Sequence, residues 1–354
     1  MGRSGTKRSM ALLILLAVIA AACASNNTPA AGPTGGSGAS SPAPATGGAP
    51  ASLTVELDWV PNPDHVGLYY AQDKGYFSDA GLTLNLRSPS NASDPIKLVG
   101  LNKVDLAISY EPEMFYGQQE KLPVVAVATV VPVPLNSLIV SPGSDITTLA
   151  GFKGKKIGVT GIPSDDAFYQ TMLKTAGLTA GDVTKVNVGF NLVPSVLSNK
   201  VDGIIGGYRN VEAIQIEQTS GKKPVVFPAD QLGVPSYAEL VLVANSDRLA
   251  SDAAYADAVK RFVAALVKGT DAAIADPTGA TAIMKKATQY DPTFLDESVP
   301  YTLTLLAPAT GAQTGCIDSA AWQGYGDWMQ GNGLITSAPD ASAISTDNYL
   351  PYAC

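Results

Sequence analysis

Histidine is nearly missing from this chain of 354 residues, which holds one, and cysteine is scarce at three. A single imidazole leaves His65 as the sole source of histidine general-base chemistry, so a hydrolytic triad has little to build on. Transition-metal sites made from nitrogen and sulfur ligands are equally poorly supplied, and no metal is expected. There is no G-x-S-x-G elbow, no H-E-x-x-H and no dinucleotide glycine fingerprint. Gly151-Phe-Lys-Gly-Lys-Lys156 resembles a phosphate loop only superficially. No Ser or Thr follows its last lysine, and a strand rather than a helix comes next, so it reads as a basic turn. Positive charge is also in deficit: 23 Lys and Arg face 31 Asp and Glu, for a net charge of −8. That balance argues against nucleic acid or anionic lipid as a partner. Beyond the first two dozen residues, no apolar run is long enough to span a bilayer.

What is present begins at the N-terminus. Arg3, Lys7 and Arg8 precede the apolar run Met10 to Ala22, and the chain then reads Ala20-Ala21-Ala22-Cys23. A basic start, a short apolar core and a small-residue cleavage site predict a secretory signal over 1–22, removed in the mature protein. The run is about a dozen residues, short of the roughly 20 of a membrane-spanning helix. Cys23 after three alanines resembles the lipobox of bacterial lipoproteins, whose thiol is acylated to become the new first residue. Ala20 stands where that motif usually has an aliphatic residue, and an ordinary secretory signal is the alternative. Residues 23–51 are almost wholly Ala, Gly, Pro, Ser, Thr and Asn, too little apolar surface to offset ordering entropy, so they read as a tether. The expected location is extracytoplasmic, with the membrane touched only through the lipid. Setting Cys23 aside leaves Cys316 and Cys354, for which an oxidising compartment favours one disulfide, two unpaired buried thiols being the alternative.

The remaining body of about 300 residues suffices for two domains. Short β-like runs, among them Leu53 to Leu57, Leu82 to Leu86, Leu106 to Ser109, Val124 to Thr129 and Leu240 to Ala244, alternate with helical stretches such as Asp64 to Lys74 and Ala253 to Ile274. The alternation predicts α/β layers with largely parallel sheets. An internal echo supports two lobes. Asn102-Lys-Val-Asp105 leads to Leu-Ala-Ile-Ser-Tyr-Glu, and Asn199-Lys-Val-Asp202 to Gly-Ile-Ile-Gly-Gly-Tyr. Ligands of open α/β sheets bind beyond the carboxyl ends of strands, so Tyr110-Glu111 and Tyr208 to Glu212 are expected to face one another across a cleft. A chance echo, or a common helix-to-strand connection, is the bland alternative. The expected division is 52–143 as the first part of lobe one, 144–242 as lobe two, and 243–354 as the completion of lobe one with C-terminal helices. Two chain crossings would then form a hinge that absorbs closure around a ligand.

Two clusters carry the chemistry. In Asp58-Trp-Val-Pro-Asn-Pro-Asp-His65 a strand end runs through a proline-restricted turn into a helix. Trp59 offers a stacking face, or packs in the core; Asn62 belongs to the same turn; Asp64 can be a helix cap; His65 either contacts ligand or makes a structural hydrogen bond. In Gly206-Gly-Tyr-Arg-Asn-Val-Glu212 the glycines permit close backbone approach, and Tyr208, Asn210 and Glu212 follow. A carboxylate can accept from an exocyclic amine and, with a shared proton, satisfy a neighbouring ring nitrogen, which suits an aminopyrimidine. Equally, Glu212 can be a first-turn acid favoured by the helix dipole. Tyr110, Glu111, Tyr237 and Glu239 are further candidates. Asn91-Ala92-Ser93 fits a glycosylation sequon, but reads better as a polar loop near the cleft.

These residues resemble a known family. Leu57-Asp-Trp-Val-Pro-Asn-Pro-Asp-His65, Gly67-Leu-Tyr-Tyr-Ala71, Lys74-Gly-Tyr-Phe77, Gly81-Leu82, Lys103-Val-Asp105, the Gly-Lys-Lys-Ile-Gly before Val159 and Gly206 to Glu212 look like the ABC-transporter binding proteins for thiamine pyrimidine precursors, and the related yeast pyrimidine synthase. The resemblance covers most of Leu53 to Ala250. It implies a periplasmic-binding-protein type II fold with two crossovers, and a monomer that hands a formylaminopyrimidine or hydroxymethylpyrimidine to a permease driven by an ATPase subunit. In such relatives aromatic rings sandwich the pyrimidine and an acid reads its amino edge; Trp59, Tyr208 and Glu212 fit those roles. Riboflavin or another flat heterocycle, or an alkanesulfonate, are the other expected ligand classes. The departures bear on catalysis. The lysine that holds pyridoxal phosphate in the synthase falls at Ser109, its consumed histidine at Glu113, and its cysteine-rich run is missing. A binding protein without cofactor, not an enzyme, is therefore expected.

Overall fold

Val- and Ile-rich segments with both faces covered form the centre of each of two sheets, as expected where helices pack on either side. The computed structural model describes residues 48–354; the predicted leader, Cys23 and the tether as far as residue 47 lie outside the described residues. The strands are β1 (Ala51–Glu56), β2 (Leu82–Arg87), β3 (Leu106–Ser109), β4 (Val124–Val131), β5 (Asn136–Val140), β6 (Lys156–Val159), β7 (Thr184–Asn187), β8 (Gly203–Tyr208), β9 (Val226–Pro228) and β10 (Leu240–Asn245). One sheet has the order β2-β1-β3-β10-β4 and the other β7-β6-β8-β5-β9. The two orders superimpose position for position. Each sheet also carries one strand that runs against its neighbours, β10 in the first and β5 in the second, so the sheets are mixed rather than purely parallel. Those reversed strands are the ones that have crossed from the other lobe.

This pairing moves the expected boundaries. Dividing the chain at 143/144 and 242/243 leaves β5 in lobe one and the start of β10 in lobe two, yet β5 pairs with β8 and β9 while β10 pairs with β3 and β4. The crossings run instead through Pro132–Leu135 and through the segment between Pro228 and Leu240. Hydropathy could not separate them, because every residue of β5 and β10 is buried whichever sheet it joins. The tether likewise ends earlier than residue 51. Ala51 already pairs with Leu82, and the Arg261 guanidinium donates to the carbonyls of Ala49 and Ala80. Strand β9, three residues ending in proline at a sheet edge, had no sequence signal, since proline is tolerated only at such an edge.

The echo is a structural repeat. Asn102 and Asn199 both take φ of 54°, the left-handed conformation that closes a helix and that Asn tolerates better than most side chains. Lys103 N–H then donates to the Leu98 carbonyl and Lys200 N–H to that of Ser195, each at 2.9 Å. Asp105 accepts from Thr54 N–H on β1, and Asp202 from Lys156 N–H on β6, each at 2.8 Å. The same tetrapeptide thus ties the same helix end to the same neighbouring strand in both lobes.

After β10 the chain returns to the first lobe. Helix Ala253–Ala275, capped by Asp252, buries Tyr255, Val259, Phe262, Val263 and Leu266 at helical spacing. It approaches helix Val66–Asp73 so closely that a Cβ on Gly269 would lie 2.6 Å from the Gly67 carbonyl. Cys316 and Cys354 form a disulfide with Cα atoms 5.8 Å apart, closing a separation of 38 residues. Such a loop is worth about 2–4 kcal/mol. Among the described residues no helix is long and apolar enough to cross a membrane.

Candidate functional site

The carboxyl ends of β1, β3, β6 and β8 converge on a crevice between the lobes, lined by Asp58, Trp59, Asn62, Tyr110, Asn136, Ile162, Ser164, Asp165, Gly206, Tyr208, Glu212 and Glu239. Four of these are carboxyl side chains, and no Lys or Arg is among them. The lobes are closed on one another. The residual cavity is about 20 Å³, room for a water or two, so a ring-sized ligand enters only as the lobes part.

The first lobe's wall grows from the turn after β1. Pro61 and Pro63 restrict the backbone, and the Asn62 side chain accepts from Asp64 N–H at 2.8 Å, so the cap is Asn62 rather than Asp64. His65 Nδ1 accepts from Asn62 N–H at 3.2 Å, which leaves the hydrogen on Nε2 to be donated to Asp58 Oδ1 at 2.7 Å. Tyr110 donates its hydroxyl to the other Asp58 oxygen at 3.1 Å. Two buried side chains thus hold the Asp58 carboxylate in a fixed plane at the crevice wall. Trp59 is half-buried, and the edge of Phe190 from the second lobe meets it, with centroids 4.3 Å apart at 66°.

The second lobe's wall comes from the ends of β6 and β8. Asp165, in the first turn of helix Pro163–Ala176, accepts from the Thr160 N–H and hydroxyl. Gly206 sits at φ +91°, where a Cβ would be 2.7 Å from the Thr160 methyl and 3.0 Å from Asp165 Oδ1; only glycine lets this strand end approach the acid. Glu212 opens the next helix and turns back to accept from Tyr208 N–H at 2.8 Å. Burial pushes both Asp165 and Glu212 up to about 7 against the hydrogen bonds that lower them. Burial thus moves both acids toward the neutral form. The hinge supplies the floor. Glu239 Oε2 accepts from Leu135 N–H at 2.6 Å, Asn136 N–H at 2.9 Å and the Tyr237 hydroxyl at 2.7 Å, joining the two crossings through one oxygen.

Of the residues singled out from sequence, Trp59, Asn62, Tyr110, Tyr208, Glu212 and Glu239 line the crevice. The structure places the others elsewhere. His65 lies behind Asp58, and Tyr237 behind Glu239. Glu111 starts helix Glu111–Gln119 directly after Tyr110, so it turns to the hinge and accepts from Ala238 N–H at 2.6 Å. Asn210 is fully buried in the contact between lobes, donating to Asp64 and Thr302. Asn91 is exposed, its side chain closing a surface turn onto Ser93. Sequence reasoning passed over Asp58, although it stands in the first cluster, and Asn136, Ile162, Ser164 and Asp165. The position of Asp165, an acid in a first helical turn just beyond a strand, was the available signal. Among the described residues no group of three or more His, Cys, Asp or Glu is placed to hold a metal ion.

Comparison with known proteins agrees with this architecture. Residues 62–280, more than half of the chain, match the family described as NMT1/THI5 like. A Haemophilus influenzae protein named for thiamine biosynthesis is 35% identical over 81% of this chain and 88% of its own. The formylaminopyrimidine-binding protein of Halalkalibacterium halodurans is 29% identical over 84% of this chain and 91% of its own. A 4-amino-5-hydroxymethyl-2-methylpyrimidine phosphate synthase of Saccharomyces cerevisiae is 29% identical over 64% and 68%. Among solved structures, the ligand-binding component of an ABC-type import system from Staphylococcus aureus superimposes with a TM-score of 0.66 at 13% identity, covering 84% of this chain and 97% of that one. The chain belongs to the NMT1/THI5-like family and has the two-lobed periplasmic solute-binding protein fold.

Proposed function

We propose that this protein is the extracytoplasmic solute-binding component of an ABC importer, lipid-anchored through Cys23, and that its lobes close on an aminopyrimidine precursor of thiamine. The observation that carries the reading is the crevice lining, four carboxyl groups and three aromatic side chains with no lysine or arginine. Such a wall favours an uncharged or cationic ring rich in N–H donors. An aminopyrimidine presents an exocyclic amine beside a ring nitrogen. Glu212, held near neutrality by burial, accepts from the amine when ionised and donates to the ring nitrogen when protonated. Trp59 supplies a stacking face, worth about 0.5–1.5 kcal/mol beyond its buried area. The relative named for binding formylaminopyrimidine supports this ligand class.

The same lining argues against anions. A sulfonate wants converging Arg side chains or N–H donors, and Arg209 lies outside the crevice, in a groove with Glu217 and Glu297. A pyridoxal phosphate enzyme needs a Schiff-base lysine, and none lines the crevice; Ser109, which replaces it by resemblance, is buried on β3. The residues do not fit that cofactor, and the reading is of a binding protein that passes its ligand to a permease and ATPase. Calorimetry of the mature protein tests it. Formylaminopyrimidine or hydroxymethylpyrimidine should bind, Glu212→Ala should weaken binding about 100-fold, and an alkanesulfonate and pyridoxal phosphate should give no heat. Sulfonate binding with no response to either pyrimidine would overturn the assignment.

A further inference from the structure

Asp64 and Asn210 meet from opposite lobes, outside the crevice. Asn210 Nδ2 donates to Asp64 Oδ1 at 2.6 Å and to Thr302 Oγ1 at 2.8 Å, while the Ser298 hydroxyl donates to the Asn210 carbonyl. Both residues are buried, Asn210 completely. Two oxygens of the pair are nevertheless left over, Asp64 Oδ2 and Asn210 Oδ1, each buried without a hydrogen-bond partner. If Asp64 were ionised, both would be acceptors facing no donor. One proton on Asp64 Oδ2 would serve both, since an Oδ2–H donating to Asn210 Oδ1 while Nδ2 donates back would close a cyclic acid–amide pair.

We propose that Asp64 carries a proton in the closed protein, and that the Asp64–Asn210 acid–amide pair is a latch coupling lobe closure to the uptake of one proton. The surroundings agree. The titratable groups around Asp64 are the carboxyls of Asp58, Glu212 and Glu239, the hydroxyls of Tyr208 and Tyr290, and the neighbouring His65, itself engaged with Asp58. No Lys or Arg is among them. Burial first, and then these acids, raise the Asp64 carboxyl well above its ordinary range, against the lowering effect of Asn210. Opening draws Asn210 away and admits water, so the group returns toward about 3.9. The latch is therefore at full strength below that open-state value and is lost as pH rises through the raised closed-state value. Within that window closure weakens by about tenfold per pH unit.

The choice of formylaminopyrimidine as probe rests on the proposed function; the latch does not. Calorimetry of its binding in two buffers of different ionisation enthalpy counts the protons taken up. Asp64→Asn, which can form an amide–amide pair with Asn210 without a proton, should hold affinity within about threefold and take up about one proton fewer than wild type. Asn210→Ala should weaken binding about tenfold, mainly through faster release. Small-angle scattering of the ligand-free protein needs no ligand. Wild type should expand more between about pH 5 and pH 8 than Asp64→Asn does. Equal proton uptake in both proteins, or equal expansion in both, overturns the latch. Failure of the pyrimidine to bind would strike the ligand assignment alone and leave the scattering to decide.

Discussion

The turns at Asn102–Asp105 and Asn199–Asp202 are copies that lead to unlike ends. Both close a helix through a left-handed Asn, both tie an Asp to the adjoining strand, and both lead through a central strand to a tyrosine on the crevice. They part at the acid that follows. After Tyr110 the next helix starts at once, and Glu111 is turned to the hinge; after Tyr208 three residues intervene, and Glu212 folds back onto the Tyr208 N–H. A short repeat thus specifies a backbone frame, while the number of residues before the next helix decides whether the acid faces the crevice or braces the hinge.

The sharpest way to break that comparison is to remove each acid in turn. Glu212→Ala should cost about 100-fold in pyrimidine affinity, whereas Glu111→Ala should leave affinity within about threefold and lower stability to urea by about 2 kcal/mol through the unpaired Ala238 N–H. Comparable affinity losses in the two would mean that both acids reach the ligand. Titration gives a smaller difference. Burial raises Glu111 to about 8 and Glu212 to about 7. Each favours the folded state fully below its unfolded value near 4.3, and that contribution is lost as pH rises through the folded value. The melting temperature should fall above about pH 5; Glu212→Gln should make the decline shallower only up to about pH 7, and Glu111→Gln up to about pH 8, each by one group's share because Asp165 titrates over the same range. The smallest effect belongs to the shared turns. Asn102→Ala and Asn199→Ala should each cost about 1 kcal/mol, and the Gly variants close to nothing, because the strain is the same left-handed residue in both. Unequal costs in urea unfolding would show that the two copies bear different loads.

Much of the frame was legible because its signals are local. A short apolar run marks β3 at its observed ends, and the repeated Asn-Lys-Val-Asp marks the equivalent turns. Six of the eleven candidate ligand residues line the crevice, most of them at places that follow from a strand end. The others depended on long-range contacts. Asn210 was chosen for its polar cluster, but its partners Asp64 and Thr302 stand 146 and 92 residues away. His65 and Tyr237 carry the right chemistry and lie one side chain behind the surface, each holding an acid that does face the crevice. The hinge was misplaced because a fully buried strand reads alike in either sheet.

The most direct measurement of the central claim is a crystal structure of the protein grown with formylaminopyrimidine. The ring should lie in the crevice, stacked against Trp59 with its amino edge on the Glu212 carboxyl. A ring bound outside the crevice, or one whose amino edge faces away from Glu212 and every other carboxyl of the lining, would contradict it.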